Sequence, residues 1–229
     1  KMVLSHIIML EHAFFVNTDA PDLENYEALS DYICDRLMVD NLPISEGVCD
    51  ALDHSSNHFA YGGKLGVDCT KDNVNFPQKN LLGDEELFEK MHTLVPEIKR
   101  IKQYKTYTKT PICVIGIDKK EPMQKVYEKL ISIKEHTKLL VFVDAENNEI
   151  DNPYMLVWRV ANNIDAKRDI YLQKEYIGMD GTNKGEIDQF PRRWPGDTDC
   201  DRNVIERLRD RGLITVDDAF FKKYYIITY

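Results

Sequence analysis

The sequence predicts an α/β protein with a parallel or mostly parallel sheet and crossover helices. Apolar strand-like runs alternate with helix-like segments between residues 111 and 172, and this order is typical of parallel strands joined by right-handed crossovers. The run at 139–143 is apolar throughout, as in strands that a sheet buries on both faces. A phrase that occurs twice favours two related half-units, residues 1–79 and 80–229.

The first half-unit has the weaker patterns. Ile7 begins a compact apolar run, which indicates a buried strand. Pro21 stands where a helix can begin, and apolar residues then recur at helical spacing as far as Leu37. The glycine-bearing polar stretch at 50–64 is typical of a loop. The predictions for this half are strands at 7–10 and 44–48, a helix at 22–37, and loops at 50–64 and 72–82.

The second half-unit carries clearer boundary signals. Acidic residues fill the first turn of the segment at 84–92, which is typical of a helix start. Asp151 and Asn152 supply an N-cap, and Pro153 takes the first helical position. Gly212 is placed to stop the last clear helix. The predictions for this half are helices at 84–92, 122–133, 153–164, 202–211 and 216–223, strands at 111–118, 139–147 and 170–172, and an extended end at 224–229.

The repeated phrase reads YGGKLGVDCTK in its first copy and YIGMDGTNK in its second. Each copy contains a Gly, an apolar residue, an Asp, a small residue and a Thr, followed by a Lys. A duplication is favoured over a coincidence between two turn-rich loops. Gly63 or Gly178 is expected to adopt positive φ. Each Asp is expected to accept backbone N–H groups in a turn that the Thr reinforces. The favoured interpretation is a turn that locks the end of a strand.

The charged residues of the phrase are also candidates for binding a cofactor or substrate, because a cation beside backbone N–H groups suits an anion. Loops at 118–121 and 144–151 follow predicted strands and are candidate walls of a ligand site. No residue is assigned a catalytic or metal-binding role. The candidate cofactor-binding residues are Lys64, Asp68, Lys71, Asp180 and Lys184.

The composition argues against several classes of protein. The 229 residues carry a formal net charge of -9 and a sequence pI of about 5.2, which does not suit a surface that binds nucleic acid. No apolar run approaches the length of a membrane span. The five cysteines form no CxxC pair. They are predicted to be reduced and mostly buried thiols of a cytoplasmic protein.

Familiar catalytic and metal-binding motifs fail on their spacing. The GGK at 62–64 lacks the upstream Gly and the following Ser or Thr of a phosphate loop. The GDTDCD stretch at 196–201 lacks the Gly and the Glu of an EF-hand loop. His54 and His58 stand four residues apart without the Glu of a zinc-protease helix. A hydrogen-bonded loop role is favoured for both histidines over metal binding.

Several stretches together resemble one family. LLVFVDAEN at 139–147 is followed by VWRVANNIDAKRD at 157–169 and by IGMDGTNKGEIDQFPRRWP at 177–195. ALDHSSNHFAYGGKLGVDCTK at 51–71 is similar to the family pattern of Leu-Asp-x-x-Ser, a spacer, and Gly-Ser-Lys-x-Gly-x-Asp-Ala-Thr-x-Lys. The chain thereby resembles the C-terminal region of the UbiD-type decarboxylases. These include 3-octaprenyl-4-hydroxybenzoate carboxy-lyase and related menaquinone-pathway decarboxylases. The second copy of the phrase departs from the single copy expected in that family.

The resemblance implies a function for the parent protein. It implies a prenylated flavin (prenylated FMN) held with a divalent metal and a monovalent cation, and a Glu-Arg-Glu catalytic set, all in parts upstream of the matching region. No stretch of this chain matches those parts, so no cofactor is expected in the chain itself. The expectation is the C-terminal structural and oligomerisation region of a carboxy-lyase for an aromatic or unsaturated acid, as in quinone biosynthesis. The catalytic residues are expected upstream, and the isolated chain is expected to be inactive.

The resemblance also implies partners. These are the protein's own upstream cofactor-binding domain and further copies in a homo-oligomer, with no nucleic acid and no membrane insertion. The alternative interpretation is a stand-alone, non-catalytic module for oligomerisation or ligand sensing.

Overall fold

The computed structural model describes residues 7, 10–72, 81–146, 148, 150–198 and 200–224. Most of the loop predicted at 72–82 and nearly all of the extended end predicted at 224–229 lie outside these residues. So do residues 8 and 9 of the strand predicted at 7–10, and the first described strand begins later, at His12.

The first sheet has three strands. They are β1 (His12–Phe15), β2 (Ile44–Val48) and β3 (Tyr61–Asp68), in the order β1-β3-β2. β3 pairs parallel with β1 and antiparallel with β2. Helix α1 (Tyr26–Arg36) lies between β1 and β2 in the chain, and the side chain of Asn25 caps it by accepting from the backbone N–H of Ala28. The helix therefore begins four residues later than the predicted 22, where an Asn cap satisfies its first turn.

The second sheet has five strands in the order β4-β5-β6-β8-β7. The outer pairs, β4 with β5 and β7 with β8, are antiparallel, while β6 pairs parallel with both β5 and β8. The central strands are thus parallel neighbours. The five strands are β4 (Ile98–Tyr104), β5 (Ile112–Ile117), β6 (Leu139–Asp144), β7 (Ile170–Gln173) and β8 (Tyr176–Asp180).

Six further α-helices follow α1 in the described residues. The strand–helix–strand–helix order predicted between 111 and 172 is confirmed, and Asn152 caps α4 as expected, by accepting from the backbone N–H of Met155. Gly212 has a φ of 65° after α6, as a helix stop requires. The helices are α2 (Asp84–Leu94), α3 (Met123–Leu130), α4 (Pro153–Asn163), α5 (Ala166–Asp169), α6 (Arg202–Asp210) and α7 (Asp218–Tyr224).

The α/β class is confirmed, but the sheets are mixed and the prediction of a mostly parallel sheet is not confirmed. Two connections explain the difference. Only two residues, 174 and 175, join β7 to β8, and so short a connection can join only antiparallel strands. β4 reads IKRIKQY and has a register shift between Ile98 and Arg100. That irregularity breaks the alternation that would have marked it as a strand.

The glycines of the repeated phrase do not have the predicted conformation. The loop predicted at 50–64 ends at residue 60, and Gly63 lies within β3 as Gly178 lies within β8. Among the described residues, Gly212 is the glycine with positive φ, so the prediction for Gly63 and Gly178 was wrong. Both positions require glycine because neighbouring atoms leave no room for a Cβ. A Cβ on Gly63 would lie 2.5 Å from the backbone nitrogen of Lys167, and one on Gly178 would lie 2.6 Å from the Tyr127 ring.

The two sheets share a hydrophobic cluster. Leu65 and Val67 of β3 belong to the same buried cluster as Val141 of β6 and Ile177 of β8. A second cluster fills the other face of the five-stranded sheet beneath α2 and α3. Four of the five cysteines are buried, which confirms the prediction of mostly buried thiols. Among the described helices, none combines the length and apolar character that crossing a bilayer requires.

Candidate functional site

Charged side chains converge at the carboxyl ends of the central strands. β5, β6 and β8 run parallel to one another, so the loops that follow them meet at one edge of the sheet. We refer to these side chains as the buried ionic cluster. Its members are Lys119, Asp144, Asp169, Asp180, Lys184 and Asp188.

Lys184 has the most buried side chain of the cluster, with 0% of it exposed. Its Nζ donates to the carbonyl oxygens of Asp180, at 2.9 Å, and Thr182, at 2.5 Å. The same Nζ lies 3.3 Å from Oδ1 of Asp180 and 3.8 Å from Oδ1 of Asp169. The ring of Trp194 covers it at 5.8 Å. Two carbonyls and two carboxylates therefore compensate this ammonium inside the protein.

Lys119 joins the loop after β5 to the loop after β8. Its Nζ lies 2.6 Å from Oδ1 of Asp188 and 3.8 Å from Oδ2 of Asp180. It also donates to Oγ1 of Thr182 at 2.9 Å. Its side chain is 8% exposed. This second ammonium fixes the path of the chain beyond β8 by binding residues on both sides of the turn.

Both copies of the repeated phrase form the same turn. Oδ1 of Asp180 accepts from the backbone N–H and the hydroxyl of Thr182, and Oδ1 of Asp68 accepts from the same two groups of Thr70. The predicted turn, with the Thr reinforcing the Asp, is thus confirmed in both places. The surroundings differ, because Asp180 is 1% exposed whereas Thr70 lies at the surface.

Arg168 and Asp169 extend the buried ionic cluster towards the first sheet. Nε and Nη2 of Arg168 donate to the two carboxylate oxygens of Asp169 at 2.8 Å and 2.6 Å. Nη1 of Arg168 donates to the carbonyl oxygen of Ser55 at 2.7 Å. Burial raises the pKa of the Asp169 carboxyl to about 6, although Lys184 and Arg168 oppose this shift. The pair ties the loop after β2 to the end of α5.

The charges of the buried ionic cluster are nearly balanced. It holds four carboxylates and two ammonium groups, and Arg168 adds a third cation. Since the carboxylates outnumber the cations, the cluster offers no surplus positive charge to an anionic ligand. The geometry of the cluster instead holds the ends of β5, β6 and β8 in one arrangement.

The pH dependence of stability should report on Asp180. Burial alone would raise the pKa of this carboxyl, but Lys184, Lys119 and Thr182 together lower it below the ordinary value of 3.8. A group with a lowered folded-state pKa stabilises the fold above its unfolded pKa, and that stabilisation is lost as the pH falls. We expect the free energy of unfolding to fall less for Asp180→Asn than for the wild type on acidification from about pH 4 to about pH 3.

Urea unfolding at a series of pH values measures this difference. Glu46→Gln is the control, because Glu46 is an exposed acid on β2. An identical acid dependence in the wild type and in Asp180→Asn would contradict the prediction.

A cleft of about 450 Å³ lies beside β1 and the loop after β2. The fully buried Lys64 extends near it from β3 and donates to the carbonyl oxygen of Ile7 at 2.6 Å. Burial and Asp53 raise the pKa of the Glu11 carboxyl, while Lys64 opposes the shift. Burial, Glu11 and Asp53 raise the pKa of the Cys49 thiol to about 11. The cleft is lined by Glu11, His12, Asp50, Leu52, Asp53, His54, Ala161 and Asn162.

The five predicted site residues fall in three places. Asp180 and Lys184 lie together in the buried ionic cluster, and Lys64 lies beside the cleft. Asp68 and Lys71 form a surface pair with 3.7 Å between Nζ and Oδ2. The structure therefore brings four of the five together as two separate pairs, and a cofactor-binding role for any of them stays a prediction.

Sequence reasoning found part of the buried ionic cluster. The loops at 118–121 and 144–151 were predicted as site walls, and they supply Lys119 and Asp144. Arg168 and Asp169 were missed, because an Arg-Asp pair after a helix carries no periodic signal. Glu11 and Cys49 were missed as well, since only the fold places them side by side.

Comparisons with known proteins agree with the resemblance of the sequence motifs. A family model described as the 3-octaprenyl-4-hydroxybenzoate carboxy-lyase C-terminal domain matches residues 2–69 and 81–182. Two uncharacterised proteins from two strains of Helicobacter pylori are 42% and 41% identical over 218 residues. The match covers 95% of this chain and 35% of each relative, so the chain spans about a third of the length of these curated relatives.

Solved structures give only weak similarity. The UbiD-class enzyme HmfF from Pelotomaculum thermopropionicum in complex with FMN is 16% identical, with a TM-score of 0.41, over 72% of this chain and 44% of that one. Vanillic acid decarboxylase from Sedimentibacter hydroxybenzoicus in its closed form is 14% identical, with a TM-score of 0.42, over 56% of this chain and 31% of that one.

Proposed function

The chain belongs to the 3-octaprenyl-4-hydroxybenzoate carboxy-lyase C-terminal domain family, which is the C-terminal region of UbiD-type decarboxylases. From this membership we propose that the chain is the structural and subunit-contacting part of such an enzyme. The proposed reaction of the whole protein is decarboxylation of an aromatic or unsaturated acid, as in quinone biosynthesis. The catalytic residues lie in a part of the protein upstream of this chain, and the enzyme works in the cytoplasm.

The family match is the observation that carries this proposal. It extends over both the three-stranded and the five-stranded sheet. The curated relatives are about three times as long as the matched region, which leaves room in a protein of that kind for a cofactor-binding part. Within this chain we further propose that residues 1–79 and 80–229 are related half-units. The same Asp-x-Thr turn after a strand in each supports this relationship.

We propose that prenylated flavin and its divalent metal bind outside this chain. The environment of Lys184 supports this, because its ammonium already contacts two carbonyls and two carboxylates and no surplus positive charge surrounds it. The buried ionic cluster thus does not fit a flavin phosphate. Asp68 and Lys71, which were predicted as cofactor-binding candidates, are partly exposed, and we propose them instead as contacts to the cofactor-bearing part.

A contact surface on α4 supports the role in subunit or domain association. Tyr154, Val157 and Trp158 lie three and four residues apart, on one face of the helix, and all three are exposed. Exposed apolar side chains grouped in this way are typical of association sites. Association of this region with a cofactor-bearing domain would exclude water from a charged decarboxylation intermediate, as domain closure does in enzymes generally.

The test compares two samples from cells that make prenylated flavin, namely the complete native gene product and the chain of 229 residues. We expect flavin absorbance and carbon dioxide release from an aromatic or unsaturated acid with the complete protein, and neither with the chain alone. Saturable flavin binding by the chain alone would contradict the proposal. A native gene product of about this chain's mass, 26.7 kDa, would favour the stand-alone module instead.

A further inference from the structure

The cleft beside β1 contains a set of potential metal ligands that the sequence analysis does not assign. A carboxylate oxygen of Glu11, Sγ of Cys49 and a carboxylate oxygen of Asp53 all lie within 4.8 Å of one another. They come from three segments, since Glu11 directly precedes β1, Cys49 directly follows β2 and Asp53 lies in the next loop. Ligand atoms in a tetrahedral zinc site are about 3.5 Å apart, given zinc–ligand distances of roughly 2.0–2.3 Å. The observed limit of 4.8 Å exceeds that spacing by about 1.3 Å, so the three ligand atoms would draw closer on binding.

The loop after β2 holds Asp53 in a fixed orientation. Oδ1 of Asp53 accepts from the backbone N–H and the hydroxyl of Ser55 at 2.8 Å and 2.7 Å, and Oδ2 accepts from the backbone N–H of Ser56 at 3.3 Å. Cys49 is 2% exposed, and its contact with the carbonyl oxygen of Gly47 is long, at 3.7 Å. A buried thiol between two carboxylates thus has only a weak hydrogen bond to satisfy it.

His12 supplies the second, independent observation. Nε2 of His12 lies 2.9 Å from the carbonyl oxygen of Ala161, and a carbonyl can only accept, so Nε2 carries the proton. Nδ1 therefore carries a lone pair, and it is buried without a hydrogen-bond partner in the described part of the chain. His12 lines the same cleft. An imidazole that donates one nitrogen to a carbonyl is held as metal-binding histidines are, and Nδ1 of His12 lies outside the set of ligand atoms within 4.8 Å of one another.

The charges around the cleft favour a cation. Glu11, Asp50 and Asp53 line it, and Asp165 acts on His12 electrostatically. The facing cations are Lys64, which acts on Glu11 and Cys49, and Arg192, which donates to the carbonyl oxygens of Asp53 and Ser56. His54 also lines the cleft and packs edge-on against Trp194 at 4.9 Å. The surroundings of the cleft therefore contain four carboxylates and two basic side chains.

We propose that this cleft binds a zinc ion through Glu11, Cys49 and Asp53, and that Nδ1 of His12, which lies outside this set of atoms, moves in as the fourth ligand. Thiolate sulfur, imidazole nitrogen and carboxylate oxygen together form a donor set that Zn²⁺ takes, whereas Ca²⁺ and Mg²⁺ prefer oxygen alone. Binding releases the Cys49 proton to solvent, because the thiolate is the ligand. The ion would join the start of β1 to the loop after β2, both of which lie beside α4.

Metal titration tests this site directly. The protein carries Cys200→Ser, so that no exposed thiol competes, and it is reduced and stripped with a chelator beforehand. We expect one equivalent of Zn²⁺ by calorimetry, and Co²⁺ should give the near-ultraviolet charge-transfer absorption of a cobalt–thiolate bond. Cys49→Ser should abolish that absorption. Glu11→Gln and Asp53→Asn should each weaken Zn²⁺ binding by about tenfold or more, the size of effect known for groups that support a metal site.

Matched controls separate ligand loss from general damage. Cys34→Ser removes another buried thiol, and Glu46→Gln removes an exposed acid on β2, so neither should change the affinity. Unfolding temperatures without metal identify any variant that folds poorly. If a variant does, the nearly isosteric Glu11→Gln decides whether the loss of Zn²⁺ affinity comes from the loss of a ligand. Failure to bind one equivalent of Zn²⁺ would overturn the proposal. So would an unchanged affinity or an unchanged cobalt absorption in Cys49→Ser.

Discussion

Lys184→Met should destabilise the fold by about 3–5 kcal/mol, because removing one partner of a buried ion pair leaves the other charge uncompensated. Met keeps the apolar length of the side chain but not its ammonium. Asp180 and Asp169, both about 1% exposed, would then lose the cation that lies 3.3 Å and 3.8 Å from them. The carbonyls of Asp180 and Thr182 would lose their donor as well. Urea unfolding at neutral pH measures the effect.

The repeated phrase provides the matched control. Lys71 is the lysine of the first copy, three residues after Asp68, where Lys184 stands four residues after Asp180. Its side chain is 66% exposed, and its Nζ lies 3.7 Å from Oδ2 of Asp68. Exposed pairs of this kind contribute little, so Lys71→Met should change the free energy of unfolding by no more than about 0.5 kcal/mol. Equal effects of the two substitutions would show that burial of the second copy does not matter to stability.

A double variant tests the coupling within the buried ionic cluster. Asp180→Asn removes the closest carboxylate, so Lys184→Met should cost less in that background than in the wild type. Residues within one ionic network couple by about 0.5–3 kcal/mol. Strict additivity of the two substitutions would mean that Lys184 and Asp180 do not interact as the structure indicates.

The sequence predicts those elements whose signals are local. β6 is five apolar residues and an Asp, and α4 has an Asn cap and a proline in its first turn, so both were found near their observed positions. β4 was missed because its basic residues stand at irregular intervals along an edge strand, and its two exposed residues, Lys99 and Arg100, are neighbours where alternation would be expected. α5 is four residues long, which is too short for helical periodicity to show.

The sites were less predictable than the fold. The Asp180–Thr182 turn follows from local chemistry and was predicted from its residues. Lys119 contacts Asp180 only because β5 and β8 flank β6, and no short-range pattern encodes that neighbourhood. Glu11 and Cys49 are 38 positions apart in the chain. They meet only because β1 and β2 both pair with β3.

Gly63→Ala should have the second large effect, a loss of about 3 kcal/mol, at the upper end of the usual cost of overpacking. A Cβ at residue 63 would lie 2.3 Å from Oδ1 of Asp165, 2.5 Å from the backbone nitrogen of Lys167 and 2.9 Å from that of Ala166. Two of these three atoms belong to the backbone of α5, so no rotation of a side chain relieves the contact. Urea unfolding again gives the free energy.

The same substitution would also break a link between the two sheets. The backbone N–H of Gly63 donates to Oδ2 of Asp165 at 2.9 Å, and the other oxygen of that carboxylate caps α5 by accepting from Lys167 at 2.9 Å. Pushing β3 away from α5 would cost both the packing and this hydrogen bond. Gly196→Ala is the control, because nothing lies within 4 Å of its added Cβ, and Ala in open space leaves stability unchanged or slightly higher. If Gly63→Ala unfolded like the control, the close approach of β3 to α5 would be wrong.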